Sequence, residues 1–346
     1  MKVFVDMEKL KAPNSGLGVF CNELGKAFMR QAKTVSFSFF VPKEMFGCFG
    51  TTANYIAQSI HHKIFAPQEA FDVWHCTHQD STYFPGNRNT KVLLTIHDLN
   101  YLHKYTGIKR KLKQYRLQKR IERADALSYI SEYTKQQVHH NFNLQHKPEF
   151  VVYNGLSTSI TAERPALVEE NAKYFFTIGV ISPKKNVHVL PQLLSAYPDH
   201  KLMIAGKCDS IYQQKIMDEA VKNQVAKRVV FLGEVKDTEK NWLYQHCAAF
   251  CFPSLAEGFG LPVVEAMHFG VPVFLSNRTA LPEIGGDVCF YWSSFEKEEM
   301  LETLNAGMMQ FHQSTAHKAR MLERSTLFNW DLTAMQYLNI YKQLAK

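Results

Sequence analysis

The sequence has no run near the ~18 consecutive apolar residues of a membrane-spanning helix. Its opening, Met-Lys-Val-Phe-Val-Asp, lacks a basic leader followed by an apolar stretch, which argues against a signal peptide. Seven cysteines form no CxxC pair, and an odd count disfavours a disulfide framework. Reduced thiols in the cytoplasm are the expectation. The phosphate-loop pattern G-x-x-x-x-G-K-[ST] is missing. Gly16-Leu17-Gly18 opens like a dinucleotide fingerprint, but Cys21 stands where the third glycine belongs. A nicotinamide-dependent oxidoreductase is therefore disfavoured. There is no short repeat and no low-complexity tract. With 46% hydrophobic and 21% charged residues, the chain is neither disordered nor fibrous.

What is present is enough chain, 346 residues, for two domains. Short apolar runs recur with helix-like stretches between them. In the first half they fall at 3–5, 35–41, 73–74, 92–96, 127–130 and 150–153. In the second they fall at 174–178, 202–205, 229–232, 248–252 and 271–275. Runs apolar on both faces suit parallel sheets covered by helices, and the βαβ series occurs twice. The expected layout is a domain at 1–156, a polar linker at 157–170 and a second domain at 171–325. A C-terminal helix then lies within 326–346. Its apolar positions Leu332, Met335, Leu338, Ile340, Tyr341 and Leu344 suit an amphipathic helix.

The net charge of +8 has one location. Between Lys104 and Arg123 there are nine basic residues and one acid, Glu122, so the rest of the chain balances. A local site for an anionic partner is a better reading than a general nucleic-acid-binding surface. Ile108, Leu112, Tyr115 and Ile121 have helical spacing, and basic residues including Lys109, Arg110, Lys111 and Lys113 fill the other faces. Such a helix suits an anionic membrane surface; a merely solvated helix is the alternative. Aromatic residues for base stacking are sparse around it, which disfavours nucleic acid.

The most informative segment runs from Phe252 to Val273. It leaves an apolar strand, passes Glu257, Gly258 and Gly260, and places Pro262 at an expected helix start. Free amides of a first helical turn, with the helix dipole, suit phosphate. Glu265 falls in the first turns of that helix, where a carboxylate accepts from neighbouring hydroxyls. Phosphate donors beside two carboxylates fit a sugar nucleotide.

This segment resembles the Glu-x7-Glu signature of the retaining glycosyltransferases of family 4. The resemblance extends through the Gly179 strand end with Lys184 and Lys185, the Ile204-Ala-Gly206 and Val230 to Val235 elements, and Thr95-Ile-His97-Asp98. Ile130-Ser-Glu-Tyr-Thr, Val152-Tyr-Asn-Gly155 and the Gly16-Leu17-Gly18 loop follow the same order. It implies an α/β GT-B architecture: two facing Rossmann-like, doubly wound domains, with the C-terminal helix returning to the first. It also implies that Glu265 holds the ribose, Glu257 contacts the donor sugar, and the amides of Phe259, Gly260 and Leu261 serve sugar and phosphate oxygens. Lys185, with Lys184, would neutralise the diphosphate. Gly16, Leu17, Gly18 and Val235 would line the donor site. His97 would bond the donor sugar, a hydrogen-bonded core histidine being the alternative; Asp98 would orient its loop. One departure stands out: Val180 occupies a position where many relatives have arginine.

Taken together, a cytoplasmic hexosyltransferase is expected, working without a cofactor or metal and placed at the inner membrane surface if the basic helix binds there. The look of the first-domain motifs favours bacterial mannosyltransferases of surface-polysaccharide assembly. GDP-mannose is then the preferred donor, with UDP-hexoses as alternatives, and the acceptor a glycan or lipid-linked hydroxyl. A non-catalytic nucleotide-sugar-binding protein is the competing class. His75-Cys76-x-His78 lacks the second ligand pair of a metal site.

Overall fold

A computed structural model describes residues 1–13, 15–31, 34–63, 67, 69–157 and 160–346. It divides into two units, residues 1–157 with 328–346, and residues 158–327.

The first unit carries β1 (Lys2–Asp6), β2 (Ser36–Val41), β3 (Asn54–Ala57) and β4 (Val73–Cys76). Then come β5 (Lys91–Ile96), β6 (Ala126–Tyr129) and β7 (Glu149–Val151). All pair in parallel, in the order β3-β2-β1-β4-β5-β6-β7. Its helices are α1 (Gly16–Gln31), α2 (Tyr101–Lys104), α3 (Gly107–Arg123) and α4 (Glu132–Asn141). Side chains alternate across a strand. Val3 and Val5 accordingly join one buried cluster with Phe20, Leu24 and Phe28 of α1. Phe4 joins the cluster on the other face, stacked 3.5 Å from Trp74.

The second unit carries β8 (Lys173–Ile178), β9 (His200–Ala205), β10 (Val229–Gly233), β11 (Ala249–Phe252), β12 (Val273–Ser276) and β13 (Phe290–Trp292). These are also parallel, in the order β10-β9-β8-β11-β12-β13. Its helices are α5 (Ser210–Lys222), α6 (Asp237–His246), α7 (Leu261–Phe269), α8 (Leu281–Gly285), α9 (Lys297–Gln313) and α10 (Thr315–Ser325). Residues expected as a linker are instead tied to α6. Glu163 N donates to Thr238 O at 3.0 Å, and Asn241 Nδ2 to Thr161 O at 3.0 Å. Thr158 and Ser159, also within that expected linker, lie outside the described residues.

The last helix, α11 (Trp330–Leu344), returns to the first unit, as its membership of that unit shows. Trp330, Ala334, Tyr337 and Tyr341 bury themselves beside α1. Arg30 reaches Asp331 at 2.7 Å, and the Tyr341 hydroxyl lies 2.6 Å from His75 Nδ1. Of the expected stripe, Leu338, Ile340, Tyr341 and part of Leu344 pack in this unit's core, whereas Leu332 and Met335 are 45% and 41% exposed and point away from it.

Candidate functional site

In a doubly wound sheet, ligands bind at the carboxyl ends of neighbouring strands whose connections leave in opposite directions. For the second sheet those strands are β8 and β11. The loop after β8 carries Gly179, Lys184 and Lys185, and the loop after β11 carries Ser254 and Glu257. Both loops are stitched together, since Leu255 N donates to Lys184 O at 2.8 Å.

Two charges meet there. Lys185 Nζ lies 2.6 Å from Glu257 Oε1, with both side chains about nine-tenths buried (12% and 11% exposed). Ser254 Oγ donates to the same carboxylate oxygen at 2.6 Å. The Lys185 ammonium also sits over the Phe252 ring, 4.5 Å from its centroid. Lys184 Nζ stands 4.0 Å from Glu257 Oε2 and is more exposed. Burial works to raise the Glu257 pKa, but Lys185, Lys184 and two hydrogen bonds outweigh it and hold the carboxyl below its ordinary range. Glu257 N donates to Thr279 Oγ1 at 2.9 Å, and Thr279 adopts a φ of 56°, unusual for a β-branched residue. Sequence reasoning gave Lys185 and Glu257 separate duties; folded, they form one ionic unit. Val180, the departure from the basic pattern, is 64% exposed.

Next along the chain, Gly260 takes a φ of 108° to start α7. Its left-handed backbone is what a side-chain residue resists. The helix begins at Leu261, so Pro262 is its second residue rather than its first. Phe259 is buried beside it, and Val235 is half-buried in the loop after β10. Glu265 is held from α6: Lys240 Nζ donates to Oε1 at 2.8 Å and the Tyr244 hydroxyl to Oε2 at 2.9 Å. Desolvation would lower the Lys240 pKa, yet Glu265 and Asp237 raise it above its usual value. Sequence reasoning missed Lys240, Tyr244, Ser254 and Thr279. The signal for the first two was their spacing of four on one helix, which places them on a shared face.

In the first sheet the corresponding neighbours are β1 and β4. Gly16, Leu17 and Gly18 open α1 in the connection leaving β1. A Cβ on Gly18 would lie 2.1 Å from Ala12 O, whereas one on Gly16 would meet nothing within 4 Å. Gly18 is thus a packing glycine, and Gly16 leaves open backbone. His97 follows β5 and is 6% exposed. Its Nε2 donates to Thr77 O at 2.8 Å, and Phe20 meets its ring edge-on at 4.6 Å. Burial lowers its pKa to about 4, so the ring is neutral, with Nδ1 as its remaining acceptor. Asp98 Oδ1 accepts from Asn100 N at 2.9 Å, shaping the loop. His75 and Cys76 do not converge on a common point. His75 bonds Tyr341 and Thr95, while Cys76 Sγ points to Tyr83 O.

The basic segment is helical as expected, and one of its apolar positions is corrected. Ile121 is fully buried with Leu117 against the sheet, because it shares the core-facing side of α3. Ile108, Leu112 and Tyr115 are instead 86%, 45% and 60% exposed, among Lys109, Arg110, Lys111 and Lys113. No helix among the described residues is long and apolar enough to cross a membrane.

Comparison with known proteins follows the same two-part division. A family model described as Glycosyltransferase Family 4 matches residues 17–160, and one described as Glycosyl transferases group 1 matches residues 159–288. The O-antigen chain mannosyltransferase B of Escherichia coli is 30% identical over 181 residues, covering 49% of this chain and 46% of that protein. The chain thus spans about half the length of the curated relatives it matches. The sucrose-phosphate synthase of Thermosynechococcus elongatus superposes with a TM-score of 0.77 at 15% identity, covering 99% of both chains. HepE of Anabaena, solved with UDP and glucose, gives 0.73 at 15% identity and the same coverage. At those identities the likeness speaks to the fold. With two family models in series across residues 17–288, and two doubly wound parallel sheets beneath them, the chain belongs to glycosyltransferase family 4 and has the GT-B fold.

Proposed function

We propose that the protein moves a hexosyl group, mannose from GDP-mannose by preference, from a nucleotide sugar to a hydroxyl of a glycan or lipid-linked acceptor. The observation that carries this is the second unit's cluster: two lysines, a buried carboxylate and a helix start at one strand-end junction. In the reaction the sugar–phosphate bond breaks and negative charge builds on the departing diphosphate. Lys185, Lys184 and the positive end of the α7 dipole supply positive potential for it, and the reading needs no metal. Glu257, kept ionised, accepts from sugar hydroxyls, and Glu265 accepts from the ribose. Removing one donor to developing charge typically costs ~10²–10³ in rate.

The mannose preference rests on the E. coli mannosyltransferase relative and on the first-unit motifs; UDP-hexoses are the alternative. A thermal-shift screen with GDP, UDP and ADP tests it. Stabilisation by GDP is expected, and stabilisation by UDP alone overturns the preference. Binding without turnover across a broad acceptor panel would favour a sugar-nucleotide sensor instead.

The exposed Ile108, Leu112 and Tyr115 among Lys109, Arg110, Lys111 and Lys113 support placement at the anionic cytoplasmic face of a membrane. Each basic residue near such a surface contributes about 1 kcal/mol. Liposome flotation tests this. Equal, poor flotation of wild type and a Lys109/Arg110/Lys111/Lys113→Gln variant would point to a soluble acceptor.

A further inference from the structure

In the second sheet β11 and β12 run side by side, with Phe252 opposite Leu275. Past their ends, residues that follow β12 hold the segment that follows β11 at four points. Ser276, fully buried, donates through Oγ to Ser254 O. Thr279 Oγ1 accepts from Glu257 N at 2.9 Å, and Ala280 N donates to Glu257 O at 3.4 Å. Leu281 packs under the next turn, so that a Cβ on Gly260 would stand 3.0 Å from its Cδ2. Lys185 and Ser254 fix the tip of the Glu257 side chain; Thr279 and Ala280 fix its root.

Thr279 holds this place under strain. Its φ of 56° is left-handed, and among the described residues it is the one β-branched residue with a positive φ. The other non-glycine residues there, Gln145, His146, Asn186 and Gln224, carry an unbranched Cβ. A branched Cβ crowds the backbone in that region, whereas glycine enters it freely. What glycine lacks is the hydroxyl, and this hydroxyl is used twice. It accepts from Glu257 N and donates to Arg278 O at 2.8 Å. Strained backbone of this kind persists only where its surroundings impose it, and it clusters at working sites.

We propose that Thr279 is a positioning residue for glycosyl transfer: its hydroxyl, carried on a strained backbone, fixes the turn from Glu257 to Gly260 and with it the Glu257 carboxylate against the donor sugar. The proposal deepens the glycosyl-transfer reading and rests on it for the sugar. Thr279 acts through Glu257, so it governs the rate of sugar transfer and not the affinity for the nucleoside diphosphate. Stability and rate should therefore part company when the strain is relieved. Glycine at this position loses a hydrogen bond and frees the unfolded chain, but relief of the left-handed backbone offsets both.

Thr279→Gly and Thr279→Ser in the full-length protein test it, read by GDP release from GDP-mannose, GDP calorimetry, thermal melts and amide hydrogen exchange. Thr279→Gly is expected to lower kcat about tenfold and to quicken exchange across Leu255 to Gly260. Its GDP affinity should stay within about twofold, and its melting temperature within about 2–4 °C of wild type. Thr279→Ser keeps the hydroxyl and should stay within about twofold of the wild-type rate. Serine as slow as glycine overturns the proposal, as does a Thr279→Gly variant with wild-type rate and exchange. A melting temperature that falls beyond that margin together with the rate would also overturn it, leaving Thr279 a residue of stability alone. If wild type turns over neither GDP-mannose nor a UDP-hexose, the glycosyl-transfer reading falls. Exchange quickened in Thr279→Gly and restored in Thr279→Ser would then still support the hold of Thr279 on the turn, and unchanged exchange would overturn it.

Discussion

The Lys185 ammonium and the Glu257 carboxylate are 2.6 Å apart in a nearly buried setting, so neither charge can be changed without consequence for the other. Removing one member of a buried pair leaves an uncompensated charge, which costs roughly 3–5 kcal/mol. Lys185→Met and Glu257→Gln should each destabilise the second unit by about that order. The double variant should recover part of the loss. Urea unfolding of the four proteins measures the coupling; additive losses would show that the pair does not act as one unit.

Lys240 offers a milder experiment on the neighbouring carboxylate. It fixes one oxygen of Glu265, and Tyr244 fixes the other. Lys240→Met should leave Glu265 free to turn and weaken nucleoside diphosphate binding by about tenfold, with a smaller effect on turnover at saturating donor. Calorimetry with GDP reports the first quantity. Unaltered affinity would mean that Glu265 does not need this support.

The two glycines at the start of α1 should behave differently despite their shared motif. Gly18→Ala forces a Cβ to within 2.1 Å of Ala12 O, and backbone must move, at a cost of about 1–3 kcal/mol. Gly16→Ala meets nothing within 4 Å and should leave thermal stability unchanged, while lowering donor affinity if ligand backbone approach matters there. Equal melting temperatures for both variants would contradict the packing role of Gly18.

Acid should loosen the first unit before ordinary carboxylate protonation begins. Burial lowers the His75 pKa to about 3 and the His97 pKa to about 4, from 6.5. Folded values below the unfolded ones favour the neutral ring, so the unfolded chain takes up protons first as pH falls. Stability present above pH 6.5 is therefore lost as pH falls from 6.5 to about 4 for His97 and to about 3 for His75, at about 1.4 kcal/mol per pH unit for each proton difference. Glu257 and Glu8, both held below 4.5, add a further loss at lower pH, while Asp6, raised by burial, works in the opposite direction. Thermal melts across pH 7 to 4 check this; a flat profile would place both histidines in a wetter setting. Replacing His75 by Gln, which keeps two polar ends, should flatten part of the slope.

How much of this was legible in the sequence depends on how strongly each element announces itself. Central strands such as β1, β5 and β8 are apolar on both faces because helices cover them, and their runs stood out. The strands β3 and β13 did not. Asn54–Ala57 lies at a sheet edge with a mixed burial pattern, and Phe290–Trp292 has only three residues. The Glu257 and Glu265 loop was legible because its glycines and proline are punctuation with a backbone meaning. The partners that set the chemistry of those acids come from far along the chain, 72 residues away for Lys185 and 25 for Lys240. Periodicity says nothing about such pairings. Ile121 shows how helical spacing must be followed around the turn: nine residues beyond Leu112 it lies on the opposite face of α3, four residues from Leu117, and the sheet buries those two together.

The central claim is that Glu257 and Lys185 act on a sugar nucleotide, and release of GDP from GDP-mannose tests it most directly. Wild type, supplied with a panel of glycan and lipid-linked acceptors, should release GDP. Glu257→Gln and Lys185→Met, checked for folding, should fall by about 10²–10³ in rate. Equal GDP release from wild type and both folded variants would contradict the account.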